Sequence, residues 1–233
     1  LSKSKQLTVA LPSAATIGSL MLGVSAIMVL SERQFALAAS LIALGSVLDV
    51  LDGQLATRLK AVSQLGKELD SLADVVTFGV APTVFLYHLM LEVGVFKPVA
   101  LLSSLAFVVA GAYRLARFNT MPSDRDAYFK GMPIPMAAIL LLTGSFWQYW
   151  VVNIWWTVAV VSVSYLMVSP YPYPKSSHIA TLTPVSWVGV AAVAAVLGAV
   201  ANSWQIIPFG LLLLYALSGP ALSFYYPAQE EPA

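Results

Sequence analysis

Residues 36–57 read ALAASLIALGSVLDVLDGQLAT, and residues 71–93 read SLADVVTFGVAPTVFLYHLMLEV. Each stretch has the roughly 20 residues that a helix needs to cross a bilayer. Asp49 and Asp52 lie near the end of the first, and Asp70 and Asp74 lie at the start of the second. A short connection joins the two, so they are expected to be antiparallel neighbours. Spaced i,i+3 and i,i+4, the members of each pair share one helix face. These four aspartates, of eleven acidic residues in the chain, therefore fall between positions 49 and 74. Carboxylates at membrane depth are costly and usually mark a site.

The rest of the chain agrees with this reading. Of 233 residues, 59% are hydrophobic and 10% charged, and the mean hydropathy is +0.81. A water-soluble domain carries about 25% charged residues. The composition excludes a soluble globular enzyme, a disordered chain and a nucleic-acid-binding domain. A net charge of +1 implies no broad polybasic field. Without cysteine there are no disulfides, iron–sulfur clusters or thiolate metal sites. Six further segments are apolar enough to span, at about 12–30, 97–116, 134–151, 153–169, 183–201 and 204–225. The third and fourth of these join into about 36 residues, roughly 54 Å as one helix, so a hairpin is expected. Helices are the default because no water satisfies open strand edges in lipid. The expected fold is all-α: a polytopic membrane bundle of about eight transmembrane helices, forming one domain over residues 1–233. Lys3 and Lys5 precede a stretch too long, and too poor in cleavage signals, for a signal peptide, so it reads as the first span.

Basic residues set the orientation. With the N-terminus in the cytoplasm, Lys3, Lys5, Arg58, Lys60, Lys67, Arg114, Arg117, Arg125, Lys130 and Lys175 face inward, and Arg33 and Lys97 face outward. That is a strong positive-inside bias. It puts both termini and the acidic window on the cytoplasmic side of the cell membrane. Trp147, Tyr149, Trp150, Trp155 and Trp156 form an aromatic belt at the outer interface. Residues 119–133 are the largest polar connection, and residues 171–174 read as a loop. Ala191, Ala195 and Ala199 are spaced for a helix-packing seam, or simply mark an Ala-rich span.

Converging carboxylates repel one another unless cations lie between them. Oxygen ligands without Cys or His suit Mg2+ or Mn2+, and two such ions about 3.5–4 Å apart can clamp a phosphate. Gly53 and Gly66 allow a phosphate or sugar to approach the backbone. The competing reading makes the aspartates helix caps or partners of Arg58, Lys60 and Lys67; four on two matched faces argue against it. Arg114 and Arg117, spaced i,i+3, present guanidinium forks suited to carboxylate or phosphate, with Asn119 nearby. The alternative for both is ordinary anchoring, which is also the expected role of Lys130 and Lys175. His88 reads as a hydrogen-bonded interhelical residue, and His178 as a loop residue.

Read residue by residue, the window is Asp49-x2-Asp52-Gly53-x2-Ala56-Thr57-x8-Gly66-x3-Asp70-x3-Asp74. It resembles the signature of the CDP-alcohol phosphotransferase family. The family's Arg falls on Thr57, and Arg58 follows one residue later, turned by about 100° on a helix. Residues 69–82, 114–119, 131–136, 166–169 and 173–174 are similar to the integral-membrane branch of the family that uses serine. The resemblance covers about residues 11–175, with Ser13 and Ser19 where that branch usually has Asn. It implies a six-helix core with a cytoplasm-facing polar cavity, a homodimer, and two additional spans at the end.

The resemblance also implies a reaction, CDP-diacylglycerol plus L-serine giving phosphatidylserine plus CMP. It implies Asp49, Asp52, Asp70 and Asp74 as ligands of two divalent ions, with Asp74 also the general base. Asp52, Gly53, Ala56, Arg58 and Gly66 are then expected to receive the nucleotide, and Arg114, Arg117 or Asn119 the serine carboxylate or the donor phosphate. Alternatives keep the chemistry with glycerol phosphate or an inositol phosphate as acceptor, or with an archaeal ether-lipid donor. A cation transporter is a more distant alternative, and it predicts acidic groups spread through the membrane depth.

Overall fold

A computed structural model describes residues 3–59, 63–120, 128–147, 153–174 and 206–223. The elements are α1 (Lys3–Ser31), α2 (Phe35–Arg58), α3 (Gln64–Asp74), a π-helical segment (Val75–Val80), α4 (Ala81–Glu92), α5 (Lys97–Thr120), β1 (Tyr128–Lys130), α6 (Ile134–Gly144) with a 3-10 turn (Ser145–Trp147), α7 (Asn153–Val168), β2 (Pro172–Pro174) and α8 (Ile206–Ser223).

The chain is a helical membrane protein. Four helical stretches, Pro12–Ser31, Phe35–Arg58, Gln64–Glu92 and Lys97–Thr120, are long and apolar enough to cross a bilayer. Ile134–Gly144, Ile154–Val168 and Phe209–Ser223 are apolar but shorter. The expected span at 134–151 is thus cut back, because the α-helix stops at Gly144 and tightens into the 3-10 turn. The expected span at 183–201 lies outside the described residues. So do Lys60, Arg125, Tyr149, Trp150, Lys175, His178 and the alanines at 191, 195 and 199. Met21, Met28, Leu102 and Leu214 are each at least 64% exposed, a free-energy cost in water that lipid removes.

Two corrections concern element boundaries. The third long helix starts at Gln64, a full two turns before residue 71, because Ser63 caps it by accepting from the Gly66 amide at 3.0 Å. Asp70 and Asp74 are therefore inside a helix and not at its first turn. The 171–174 run is not simply a loop. Its strand β2 pairs antiparallel with β1, in the register Phe129 opposite Tyr173, and the all-α bundle carries a two-stranded ribbon. The amide of Gly131 donates to the Tyr171 carbonyl at 2.9 Å, at a φ of 81° that favours glycine.

The ends opposite the acidic window are closed by matching caps. At the end of α4, Val95 donates to the Met90 carbonyl and Gly94 to Leu91, with Gly94 at φ 84°. At the end of α1, Gln34 donates to Val29 and Arg33 to Leu30, with Arg33 at φ 59°. Both are Schellman caps. The Arg33 guanidinium pairs with Glu92 at 2.9 Å and ties the two turns together.

The π segment has a local cause and a distant consequence. Pro82 has no N–H, and its ring crowds the carbonyl four residues back, so the hydrogen-bond ladder must rearrange just before it. The widened turn pushes Thr77 between α1 and α2. A β-carbon at Gly23 would stand 2.6 Å from the Thr77 hydroxyl oxygen, and one at Gly45 would stand 2.7 Å from its methyl group. Thr77 donates to the Ser19 carbonyl at 3.0 Å, and Ser19 donates to the Gly45 carbonyl at 3.1 Å. Three helices are thereby drawn together one turn beyond Asp74. Phe78, Phe85, Leu86, Phe107 and Ile134 fill the core behind this crossing.

Candidate active site

Asp49 projects from α2, and Asp70 and Asp74 from α3, and one oxygen from each lies within 4.8 Å of the others. Three hard oxygen donors at this spacing, all partly buried, fit a divalent cation and exclude a soft-ligand metal. Among the described residues the one ion pair is Arg33–Glu92, so no basic side chain forms an ion pair with the cluster. That observation removes the reading of these aspartates as partners of Arg58 or Lys67.

The fourth carboxylate is placed differently. Asp52 is 5% exposed and accepts a 2.6 Å hydrogen bond from the Thr16 hydroxyl of α1. It lines a cavity of about 220 Å³ with Pro12, Ser13, Thr16, Gly53, Ala56, Thr57, Ser63, Gly66, Lys67 and Asp70. Asp70 belongs to both groups and joins the cavity to the three-carboxylate cluster. The predicted four-fold convergence thus resolves into a triad and an adjoining pocket.

Within the pocket, Gly53, Ala56 and Gly66 stand together as expected. Nothing lies within 4 Å of the position of a Gly53 β-carbon, so its missing side chain leaves open space. Gly66 has a packing reason as well, because a β-carbon there would stand 3.0 Å from the capping Ser63 hydroxyl. Arg58 is exposed and does not line the pocket; Thr57 does, with its hydroxyl turned back to the Gly53 carbonyl at 2.9 Å. The cation on the lining is Lys67. Thr16, Ser63 and Lys67 were not anticipated. A serine ahead of a helical stretch is a readable cap signal, whereas the Thr16–Asp52 contact spans 36 positions and leaves no local trace.

The two arginines of α5 separate. Arg117 donates to three backbone carbonyls, of Lys130 at 2.7 Å, Val168 at 3.0 Å and Ser169 at 3.3 Å, and so clamps β1 to the end of α7. Arg114 is 7% exposed and lies 5.8 Å from the ring centres of Phe118 and Phe129. Its Nε has no hydrogen-bond partner among the described residues, and Asp74 is within its electrostatic reach. Asn119 donates to the Ser71 hydroxyl at 2.8 Å, beside Asp70. Lys130 is exposed on β1. The His88 ring packs edge-on against Tyr87 at 5.4 Å, and its Nδ1 has no partner among the described residues.

Comparison with known proteins bears on the same residues. A family model described as CDP-alcohol phosphatidyltransferase matches residues 9–164. A CDP-diacylglycerol–serine O-phosphatidyltransferase of Mycobacterium leprae is 37% identical over 215 residues, covering 84% of this chain and 70% of the relative. Proteins of the same name are similar in Bacillus subtilis, at 38% over 164 residues (70% of this chain, 89% of the relative), and in Methanocaldococcus jannaschii, at 39% over 139 residues (58% and 63%).

Proposed function

This chain belongs to the CDP-alcohol phosphatidyltransferase family, and on that premise we infer that it transfers the phosphatidyl group of CDP-diacylglycerol to the hydroxyl of L-serine, forming phosphatidylserine and CMP. The names of its relatives support serine as the acceptor. The observation that carries the reading is the Asp49–Asp70–Asp74 triad opening through Asp70 into a pocket lined by small and hydroxyl side chains.

The residues divide the work by position. Asp74, deepest in the window, takes the proton from the serine hydroxyl as that oxygen attacks the phosphorus carrying the lipid. The bond from this phosphorus to the CMP oxygen breaks, and CMP departs. Asp52, Gly53, Ala56 and Gly66 receive the nucleotide, with Lys67 in place of Arg58 as the adjacent cation. Arg114 holds the serine carboxylate. Asp49, Asp52, Asp70 and Asp74 would hold Mg2+ or Mn2+, two ions in all. When bound, such ions neutralise the pyrophosphate and the charge that develops on transfer. A carboxylate is a weak base toward an alcohol, so proton transfer comes late.

We place this site on the cytoplasmic face of the cell membrane, in a homodimer of single-domain subunits. Arg58, Lys67, Arg114, Arg117 and Lys130 share the end of the bundle that holds the aspartates, as the positive-inside rule requires. Confinement of the four aspartates to one end of the bundle disfavours a transport path.

The test is CMP release by the purified protein in detergent with CDP-diacylglycerol and, in turn, L-serine, glycerol phosphate and inositol phosphate. Serine-dependent release is expected, abolished by EDTA and restored by Mg2+ or Mn2+. Release with another acceptor only would reassign the substrate. Turnover indifferent to chelation would refute the role given to the carboxylates.

A further inference from the structure

Arg114 is a buried cation whose Nε has no partner among the described residues. A guanidinium does not lose its proton in a protein, and a buried polar group without a partner is costly. The Phe118 and Phe129 rings offset part of that cost but supply no hydrogen-bond acceptor in the guanidinium plane. Such a group is built to receive an anion.

The titratable groups that act electrostatically on Arg114 are Tyr215 of α8, Asp74 and Arg117. Tyr215 lies beyond residues 9–164, the region the family model matches. The ribbon explains how α8 reaches the site. Phe129 of β1, which flanks Arg114, faces Tyr173 of β2 across the strand pair. Tyr173 is fully buried, lies with its ring centre 5.4 Å from that of Tyr215 at a 44° tilt and donates to the Ala216 carbonyl at 2.9 Å. A β-carbon at Gly219 would collide with the Tyr173 ring, so glycine is what lets α8 lie this close. Burial pushes the Tyr173 phenol above its ordinary range, so it remains a donor to Ala216 at any physiological pH.

We propose that α8 is part of the acceptor site, with Tyr215 donating its hydroxyl to the same carboxylate that Arg114 binds. Asp74 and Tyr215 both act electrostatically on Arg114, and together the three residues would hold one small molecule. That molecule carries a reacting hydroxyl at one end and a carboxylate at the other, as a short hydroxy amino acid does. The inference rests on the phosphatidyl-transfer reading above and adds a specificity residue to it.

Steady-state kinetics of Tyr215→Phe test it, because this variant keeps the ring against Tyr173 and removes only the hydroxyl. KM for serine should rise roughly tenfold, as expected for one hydrogen bond to a charged group, while KM for CDP-diacylglycerol stays within about twofold. Tyr173→Phe, which cuts the tie to Ala216, should shift the serine KM in the same direction by less. An unchanged serine KM in Tyr215→Phe, with normal turnover by the unaltered enzyme, overturns this inference alone. So does a parallel rise in both KM values with a lowered Tm, which would make α8 a packing element only. If the unaltered enzyme releases no CMP with serine, the parent reading fails and takes this one with it.

Discussion

At the scale of single residues, the site depends on carboxylates that differ in their surroundings more than in their chemistry. Asp52 has a hydroxyl donor in Thr16, whereas Asp74 meets two other carboxylates and has Arg114 within electrostatic reach. Asp74 is thus the triad member that acts on the cation assigned to the acceptor. Replacing it by the isosteric amide removes the proton acceptor and one charge without changing volume. Asp74→Asn should lower the rate of CMP release by about 10²–10⁴-fold, the range for loss of a general base. Its size-exclusion profile should match that of the unaltered protein. Near-normal turnover would remove Asp74 from the role of base.

At the scale of elements, the position of the triad is set by packing one turn away from it. Gly23 and Gly45 are the surfaces against which Thr77 wedges, and the π segment ahead of Pro82 supplies the extra width. Gly45→Val inserts a branched side chain where even a β-carbon would stand 2.7 Å from the Thr77 methyl. Overpacking of this kind costs about 1–3 kcal/mol. A lowered Tm together with weaker activation by Mg2+ is the expected result, because α2 and α3 carry the ligands apart. Unchanged metal dependence would show that the crossing does not position the triad. The ribbon is held in a different way, by the Arg117 guanidinium and three carbonyls. Arg117→Ala should destabilise the protein by about 1.5–3 kcal/mol, the scale of hydrogen bonds to a charged group, read as a drop in Tm in detergent. Arg117→Lys should recover little, since one ammonium cannot reproduce the planar fork.

At the scale of the whole molecule, basic residues and carboxylates share one end of the bundle, and the Arg33–Glu92 turn pair occupies the other. The chain has no cysteine, so single-cysteine reporters need no background removed. In intact cells a membrane-impermeant thiol reagent should label Glu32→Cys, at the exposed turn after α1, and should label Gln64→Cys, at the exposed start of α3, only after lysis. The reverse pattern would invert the proposed topology. This prediction belongs to the whole chain, because sidedness follows from the sum of its charges and from no single one.

The membrane-spanning character, the helical class and the candidate ligands Asp49, Asp52, Asp70 and Asp74 were all legible in the order of residues. Each depends on local composition or on helical spacing, and lipid as solvent leaves a continuous apolar segment few alternatives. The division of the four aspartates into a triad and a pocket carboxylate was not legible. Neither were the separate fates of Arg114 and Arg117, or the arrival of Tyr215 beside Arg114. Those outcomes turn on contacts between residues tens of positions apart: Thr16 with Asp52, Thr77 with Gly23 and Gly45, and Tyr173 with Ala216. A helix period says which residues share a face. Only the packed bundle decides what that face meets.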